Sequence, residues 1–284
     1  MATRTKTATV ARPRDTPAQI IANIADELDT RALDYERARD ARCVFARAYM
    51  RLSRELAANI DGAGFADPDW VARLARVFVD YYLRALREYD AGTLPRGAWA
   101  TVFEVGARGR TSVLEDLVLG MTAHIVNDLP FALCDVGLTL PSGQSRIADF
   151  HLLNDVLGRS IDPIQQDLTR RYDPLLGLLD RLFEHYDEIL TNYGLRISRA
   201  AAWYNAERLL DPASREAARA AIARSPEVTQ RELLDPPLYS LRCLLRGARV
   251  VARSVRRWPS ASAPRPARRA NGLADPRPTA TPAT

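Results

Sequence analysis

The chain repeatedly places a helix-capping residue directly before a proline and follows the pair with apolar residues at helical spacing. Thr16-Pro17, Asp67-Pro68 and Asp162-Pro163 are three such pairs. An oxygen-bearing side chain at the N-cap and a proline at the first helical position both favour a helix start. The segments between these pairs follow the 3.6-residue period of a helix, and none alternates convincingly like a strand. We therefore predict an all-α fold, with a single bundle-like domain of about eight helices.

The two ends of the chain differ in composition from the rest. Residues 1–15 and 259–284 are rich in proline, alanine, threonine and arginine and have no apolar periodicity. Such segments cannot bury enough apolar surface to become ordered. We predict a disordered basic tail over residues 1–15, an all-helical domain over residues 16–258, and a disordered tail over residues 259–284.

The positive charge is concentrated in the ends of the chain. Of a formal net charge of +5, residues 1–15 carry +3 and residues 238–284 carry +9, which leaves −7 for residues 16–237. An acidic domain between basic ends is a poor partner for the phosphate backbone. We therefore expect no specific nucleic-acid binding.

A basic amphipathic helix is predicted over residues 238–258. Its arginines recur at helical spacing opposite a row of leucine, alanine and valine residues. Such a helix can make a peripheral contact with an anionic membrane or with a protein surface. The alternative is a terminal helix of the bundle whose arginine-rich face is in water.

The cysteine content and the lack of a long apolar run indicate a cytoplasmic protein. The three cysteines are widely spaced and form no CxxC pair, which favours a reducing compartment. Neither an apolar segment near the N-terminus nor about 18 consecutive apolar residues is present, so we expect no secretory signal and no membrane span.

One five-residue pattern occurs twice: HIVND at 124–128 and HLLND at 151–155. On a helix, positions i, i+3 and i+4 lie on the same side, so each copy presents an imidazole, a carboxamide and a carboxylate together. We expect the two helices to pack as neighbours, with Asp128 and Asp155 facing each other's helix. The merged patch would hold a metal ion, a water molecule or a small polar ligand.

This pairing leads to a functional hypothesis, a metal-assisted hydrolase. The candidate ligands of a divalent metal are His124, Asp128, His151 and Asp155, since histidine and carboxylate at i and i+4 have ligand spacing. The candidate catalytic residues are His124 as ligand or base, Asp128 as ligand or orienting group, and Asn154 as a hydrogen-bonding group for water or substrate. The identity of any cofactor is left open.

Two alternatives compete with this hypothesis. The first is a non-catalytic structural or interaction module, in which the same polar side chains form a buried network that fixes the helix register. The second is a magnesium diphosphate enzyme, because the run from Asn154 and Asp155 to Asp162 resembles the second metal motif of class I terpene cyclases. The aspartate-rich companion motif of those enzymes is missing upstream, so this alternative is the weaker one.

The helix that carries HIVND is predicted over residues 111–129 and reads as apolar almost throughout. Gly120 inside it is unfavourable for a helix, so we expect it to let a neighbouring backbone approach. Pro130 should kink or restart the helix. On a further long helix, predicted from residue 174 towards 209, Arg196 and Arg199 are expected on a solvated face, from which one arginine could reach Asp128 or Asp155.

Three blocks of sequence resemble a family that is catalogued as a domain of unknown function. They are GMTAHIVNDLP at 120–130, DFHLLNDVL at 149–157 and AAWYNAERL at 201–209. The resembling family consists of all-helical bacterial proteins typical of actinobacteria, and the resemblance spans roughly residues 17–255. It implies a single all-α domain and no particular activity. The chain departs from the family's pattern at Thr122 and Asn127, where asparagine and tyrosine are expected.

Overall fold

The capping pairs mark the positions where helices begin. In the first helix, α1 (Pro17–Ala38), the Thr16 hydroxyl accepts a hydrogen bond from the backbone N–H of Gln19. In the third helix, α3 (Pro68–Asp90), the Asp67 carboxylate accepts from the N–H of Trp70 at 2.8 Å. These contacts satisfy backbone donors that have no partner inside the helix.

The computed structural model describes residues 15–95, 97–109, 111–172 and 192–235, and these residues form no named strand. The all-α prediction is confirmed for this part of the chain. Nine helices are found there when residues 113–136 are counted as one. The helical segments are α1 and α3 as above, α2 (Arg42–Asn59), α4 (Ala98–Ala107), α5 (Val113–Met121), a π-helix (Thr122–Asp128), α6 (Leu129–Val136), α7 (Ile147–Gly158), α8 (Ile161–Tyr172), α9 (Asn192–Leu210) and α10 (Arg215–Leu234).

Several predicted segments lie outside the described residues. They are residues 1–14 of the N-terminal tail, the basic helix 238–258, the tail 259–284, and the first part of the long helix expected from residue 174. The second part of that long helix is α9.

The central helical run, residues 113–136, contains the first HxxND pattern. It begins with a capping box in which Ser112 and Glu115 each accept a hydrogen bond from the other's backbone N–H. Its middle is a π-helix, in which the N–H of Leu129 bonds to the carbonyl of His124. Pro130 has no N–H to donate and would crowd the carbonyl four residues back in a regular α-helix. The helical hydrogen bond before Pro130 therefore spans five residues instead of four. The chain continues as α6 and does not restart there.

This central run is also apolar enough to be compared with a membrane span. The stretch Glu115–Val136 reaches a mean hydropathy of 1.4, and 72% of that window is buried inside the protein. Burial by the other helices accounts for its composition, since a helix that is apolar on all sides is typical of a protein core.

The other helices enclose this run. Helix α2 packs on α5, α6 packs between α3 and α9, and α10 packs across the π-helix. Helix α7 lies against α2 and α9. The carboxylate of Asp149 in α7 accepts hydrogen bonds from the backbone N–H groups of Ala66 and Asp67, both at 2.8 Å. This contact fixes α7 at the start of α3 and sets the direction in which its other side chains point.

Candidate functional site

The π-helix brings His124 and Asp128 into direct contact. The His124 Nδ1 atom lies 3.1 Å from Asp128 Oδ2, and both side chains are buried. The pair joins residues i and i+4 of one helical segment, so the backbone holds it together. π-helical turns are rare and are found frequently at functional sites.

Three donors converge on the Asp128 carboxylate. Besides His124, the indole Nε1 of Trp99 donates to Oδ2 at 2.8 Å, and the Asn127 side-chain amide donates to Oδ1 at 2.7 Å. Because a carboxylate can only accept, the hydrogen on neutral His124 lies on Nδ1. The other ring nitrogen, Nε2, is then an acceptor.

The His124 ring lies among aromatic side chains. It is stacked on Phe78, with ring centroids 3.5 Å apart and planes inclined by 6°. Phe45 contacts it edge-on at 5.7 Å, and Tyr49 lies 4.9 Å away. Burial lowers the pKa of His124, and Asp128 offsets this only in part, so the imidazole is neutral at physiological pH. In the described part of the chain, Nε2 is buried without a hydrogen-bond partner.

Gly120 has a role beside this ring, although not the predicted one. A Cβ atom at Gly120 would lie 2.7 Å from ring atoms of Phe45. The glycine therefore admits an aromatic side chain, and the expectation of a close backbone was wrong. The missing methyl group lets Phe45 pack against the helix and reach the edge of His124.

Arg199 is a second buried polar group near His124. Its Nε donates to the side-chain oxygen of Asn154, and its guanidinium carbon lies 4.7 Å from the ring centre of Phe150. Both partners belong to α7, whose position is fixed by Asp149. Burial lowers the pKa of Arg199 to about 10, so it still carries its charge at neutral pH. Among the residues described, nothing accepts a hydrogen bond from its Nη2.

His124 and Arg199 line the same cavity, which has a volume of about 130 Å³. Tyr49 and Ser53 supply two hydroxyl groups to its wall. Burial raises the pKa of Tyr49, which therefore remains a neutral phenol able to donate. The rest of the lining is mainly apolar and includes Ile21, Phe45, Leu56, Leu74, Phe78, Leu117, Met121, Leu153, Leu157, Ile164 and Leu195. The cavity thus combines an apolar wall with one cation and one acceptor.

Residues 21–236 match the model of a family of unknown function, DUF5995. The chain belongs to the DUF5995 family. This match agrees with the family resemblance found in the sequence. No curated protein and no solved structure matches the chain.

The two HxxND patterns of this DUF5995 chain do not form one merged patch. His124 and Asp128 are buried together, whereas His151 is exposed. Asp155 is 44% exposed and pairs with Arg196. Helix α7 turns Leu153 and Leu157 towards the cavity, and that rotation carries His151 to the opposite side. The expectation that Asp128 and Asp155 face each other's helix does not match this arrangement.

This geometry separates the four candidate metal ligands into two pairs. His124 and Asp128 bond to each other, and His151 and Asp155 lie on the outer side of α7. Over the residues that the structure describes, no three His, Cys, Asp or Glu side chains are grouped so that they could hold a metal ion. Asn154 is buried as a candidate site residue should be, but it contacts Arg199. The terpene-cyclase pattern is likewise occupied, because arginines bond both Asn154 and Asp155.

Arg199 was not predicted as a buried site residue, because we expected it on a solvated face. A signal for its burial was present, since Leu195, Arg199, Ala202 and Ala206 follow one helical stripe, and all four are buried. Because arginine is almost never fully buried without a partner, an arginine on an apolar stripe indicates a buried charge that pairs with another group. Only the three-dimensional structure places Trp99 and Phe78 against Asp128 and His124.

Proposed function

We propose that this DUF5995 protein binds a small, mainly apolar molecule with one anionic oxygen group, which Arg199 holds inside the cavity. The observation that carries the proposal is the buried Nη2 of Arg199, which has no hydrogen-bond acceptor in the described part of the chain, on a residue that lines an apolar cavity. A buried guanidinium is costly unless an anion or several acceptors compensate it. The described contacts of Arg199 are one amide oxygen and one aromatic ring, so a ligand carboxylate would supply the missing charge.

The cavity limits the size of this ligand. An engineered cavity of about 150 Å³ accommodates benzene, and the present one measures about 130 Å³. The carbon skeleton of the ligand is therefore limited to about six carbon atoms, as in a short fatty acid or a small aromatic acid. The apolar lining would bury the carbon skeleton, which contributes about 0.8 kcal/mol per CH₂ group.

A second candidate is hydrolysis with a general base and without a metal ion. It is favoured by the orientation of His124, which lines the cavity and whose Nδ1–H points to Asp128, so that its buried Nε2 is left as an acceptor. A neutral imidazole that is oriented by a carboxylate can take a proton from water, and a guanidinium can stabilise the oxygen that becomes charged. His124 would be the base, and Asp128 and Asn154 would be positioning residues.

The metal-assisted form of that reaction is less well supported. A metal ion in the cavity would find one free histidine nitrogen, because the carboxylate of Asp128 is engaged by three donors. Catalytic zinc sites normally use three protein ligands. We therefore assign the hydrolase candidate to His124 and Arg199, positioned by Asp128 and Asn154, without a metal ion.

The proposal is tested by varying the charge of a six-carbon probe. Hexanoate, hexan-1-ol and hexylamine have the same chain, and their effects on the melting temperature of the full chain are compared. At a concentration 100 times its dissociation constant, a ligand adds about 2.7 kcal/mol to the free energy of unfolding. Hexanoate should raise the melting temperature most and hexylamine least. Equal effects of the three probes, or none, would support the non-catalytic structural module instead.

A further inference from the structure

The acceptor at His124 places a second requirement on the ligand. His124 and Arg199 line one cavity, yet they require opposite kinds of hydrogen-bonding partner. Arg199 can only donate, whereas Nε2 of neutral His124 can only accept. A plain carboxylate satisfies the arginine and leaves the imidazole nitrogen either unpaired or facing an oxygen lone pair.

The orientation of the imidazole is held by the protein. Asp128 is fixed by Trp99 at 2.8 Å and by Asn127 at 2.7 Å, so it stays in position to accept from His124 Nδ1. The stack on Phe78 at 3.5 Å prevents the ring from tilting away. A ring flip would bring a carbon atom in front of the carboxylate and lose this hydrogen bond. The protein thus holds Nε2 as an acceptor on a residue that lines the cavity.

We propose that the natural ligand is a hydroxy acid of about six carbon atoms, with its carboxylate on Arg199 and its hydroxyl donating to Nε2 of His124. This inference rests on the proposed function, because Arg199 must first hold the carboxylate. The hydroxyl gives the imidazole nitrogen a donor, so both buried polar atoms are satisfied by one molecule. Tyr49, which also lines the cavity, carries a hydroxyl that can donate a further hydrogen bond to the carboxylate.

Two other buried carboxylates among the described residues do not offer such a pair. The buried carboxylate of Glu36 is already bonded by Arg47, Arg171 and Tyr172. Asp149 is occupied in capping α3. In the part of the chain described, His124 and Arg199 line one cavity, and each carries a buried nitrogen without a hydrogen-bond partner, one an acceptor and the other a donor.

The test is a cycle of ligands and variants measured by titration calorimetry. Hexanoate is compared with 2-, 3- and 4-hydroxyhexanoate in the wild type and in His124→Phe, which retains an aromatic ring on Phe78. At least one hydroxy acid should bind about 2- to 10-fold more tightly than hexanoate to the wild type, as expected for one net hydrogen bond. That gain, measured as the ratio of hydroxy-acid affinity to hexanoate affinity within each protein, should disappear in His124→Phe.

A second measurement on the wild type covers the case in which His124→Phe does not fold. The chain has three histidines, so nitrogen-15 NMR can assign the tautomer of each. A bare Nε2 at His124, whose shift moves on adding the tightest hydroxy acid and not on adding hexanoate, supports the inference. If hexanoate binds and no hydroxy acid binds more tightly, the inference is overturned and the proposed function stands. If neither hexanoate nor any hydroxy acid binds, both are overturned.

Discussion

The guanidinium of Arg199 lies over the ring of Phe150, with its central carbon 4.7 Å from the ring centre. Both groups are buried, and the same arginine bonds to Asn154 one helical turn further along α7. Helix α7 therefore holds the guanidinium by an aromatic ring and an amide, and Arg199 also lines the cavity. A ring and an amide position a charge, but they do not neutralise it.

If Arg199 is retained for a ligand, removing it should not weaken the fold. The double variant Arg199→Met with Asn154→Leu replaces a buried charge and its neutral partner by apolar groups of similar size. Such replacements are often neutral or stabilising by about 1–4 kcal/mol. Urea denaturation should therefore give an equal or higher free energy of unfolding without ligand. A loss of more than about 3 kcal/mol would instead assign Arg199 a structural role.

The stability of the protein should decrease with falling pH through His124. Burial lowers the pKa of this histidine below its ordinary value of 6.5, so the unfolded chain binds a proton before the folded chain does. The contribution is absent above pH 6.5 and grows as the pH falls below it, by at most about 1.4 kcal/mol per pH unit. Denaturation series from about pH 8 to pH 5 should show a smaller pH dependence in His124→Asn than in the wild type. His151→Asn, which removes an exposed histidine outside the cavity, is the matched control for the loss of one histidine from the chain.

The space beside Gly120 gives a prediction with a matched control. Gly120→Ala places a methyl group 2.7 Å from the Phe45 ring, which must shift against its neighbours. Overpacking of this kind costs about 1–3 kcal/mol. Gly106→Ala adds a methyl group 3.6 Å from the Cβ atom of Ala41, which is an ordinary van der Waals distance. Because Gly106 lies inside α4, where alanine is the better helix former, this variant should stabilise the protein by about 0.5–1 kcal/mol. Thermal unfolding of both variants compares them, and equal effects would contradict the role of Gly120.

The fold could be predicted because its signals are local. Capping residues such as Thr16 and Asp67 act on the next few residues, and apolar periodicity reports on one helix at a time. The predicted helix boundaries are wrong where residues that usually end a helix lie inside one. Asp29 and Thr30 are unfavourable in a helix interior and predict an end near residue 30, yet the Thr30 hydroxyl donates to the carbonyl of Asp26 and α1 continues to Ala38. The helix ends instead at Arg39, which adopts φ 55°.

The site could be predicted only in part, because it depends on which way each helix is rotated. The spacing of HIVND was sufficient to pair His124 with Asp128, since both lie on one segment. The spacing of HLLND was identical, but α7 turns Leu153 inward and leaves His151 exposed. A local pattern does not contain the packing that decides between these rotations. Arg199 entered the site by the same kind of packing, from a helix about 70 residues further along the chain than the π-helix.

The most direct test of the account is the affinity of hexanoate for Arg199→Met, measured by titration calorimetry beside Arg196→Met. The two arginines lie one turn apart on α9, and Arg196 pairs with Asp155 outside the cavity. Removing a buried charge partner costs about 2–5 kcal/mol of binding, so Arg199→Met should weaken hexanoate by at least about 30-fold. Arg196→Met should bind it within about 2-fold of the wild type. Equal affinity of Arg199→Met and Arg196→Met for hexanoate would contradict the anion-binding cavity.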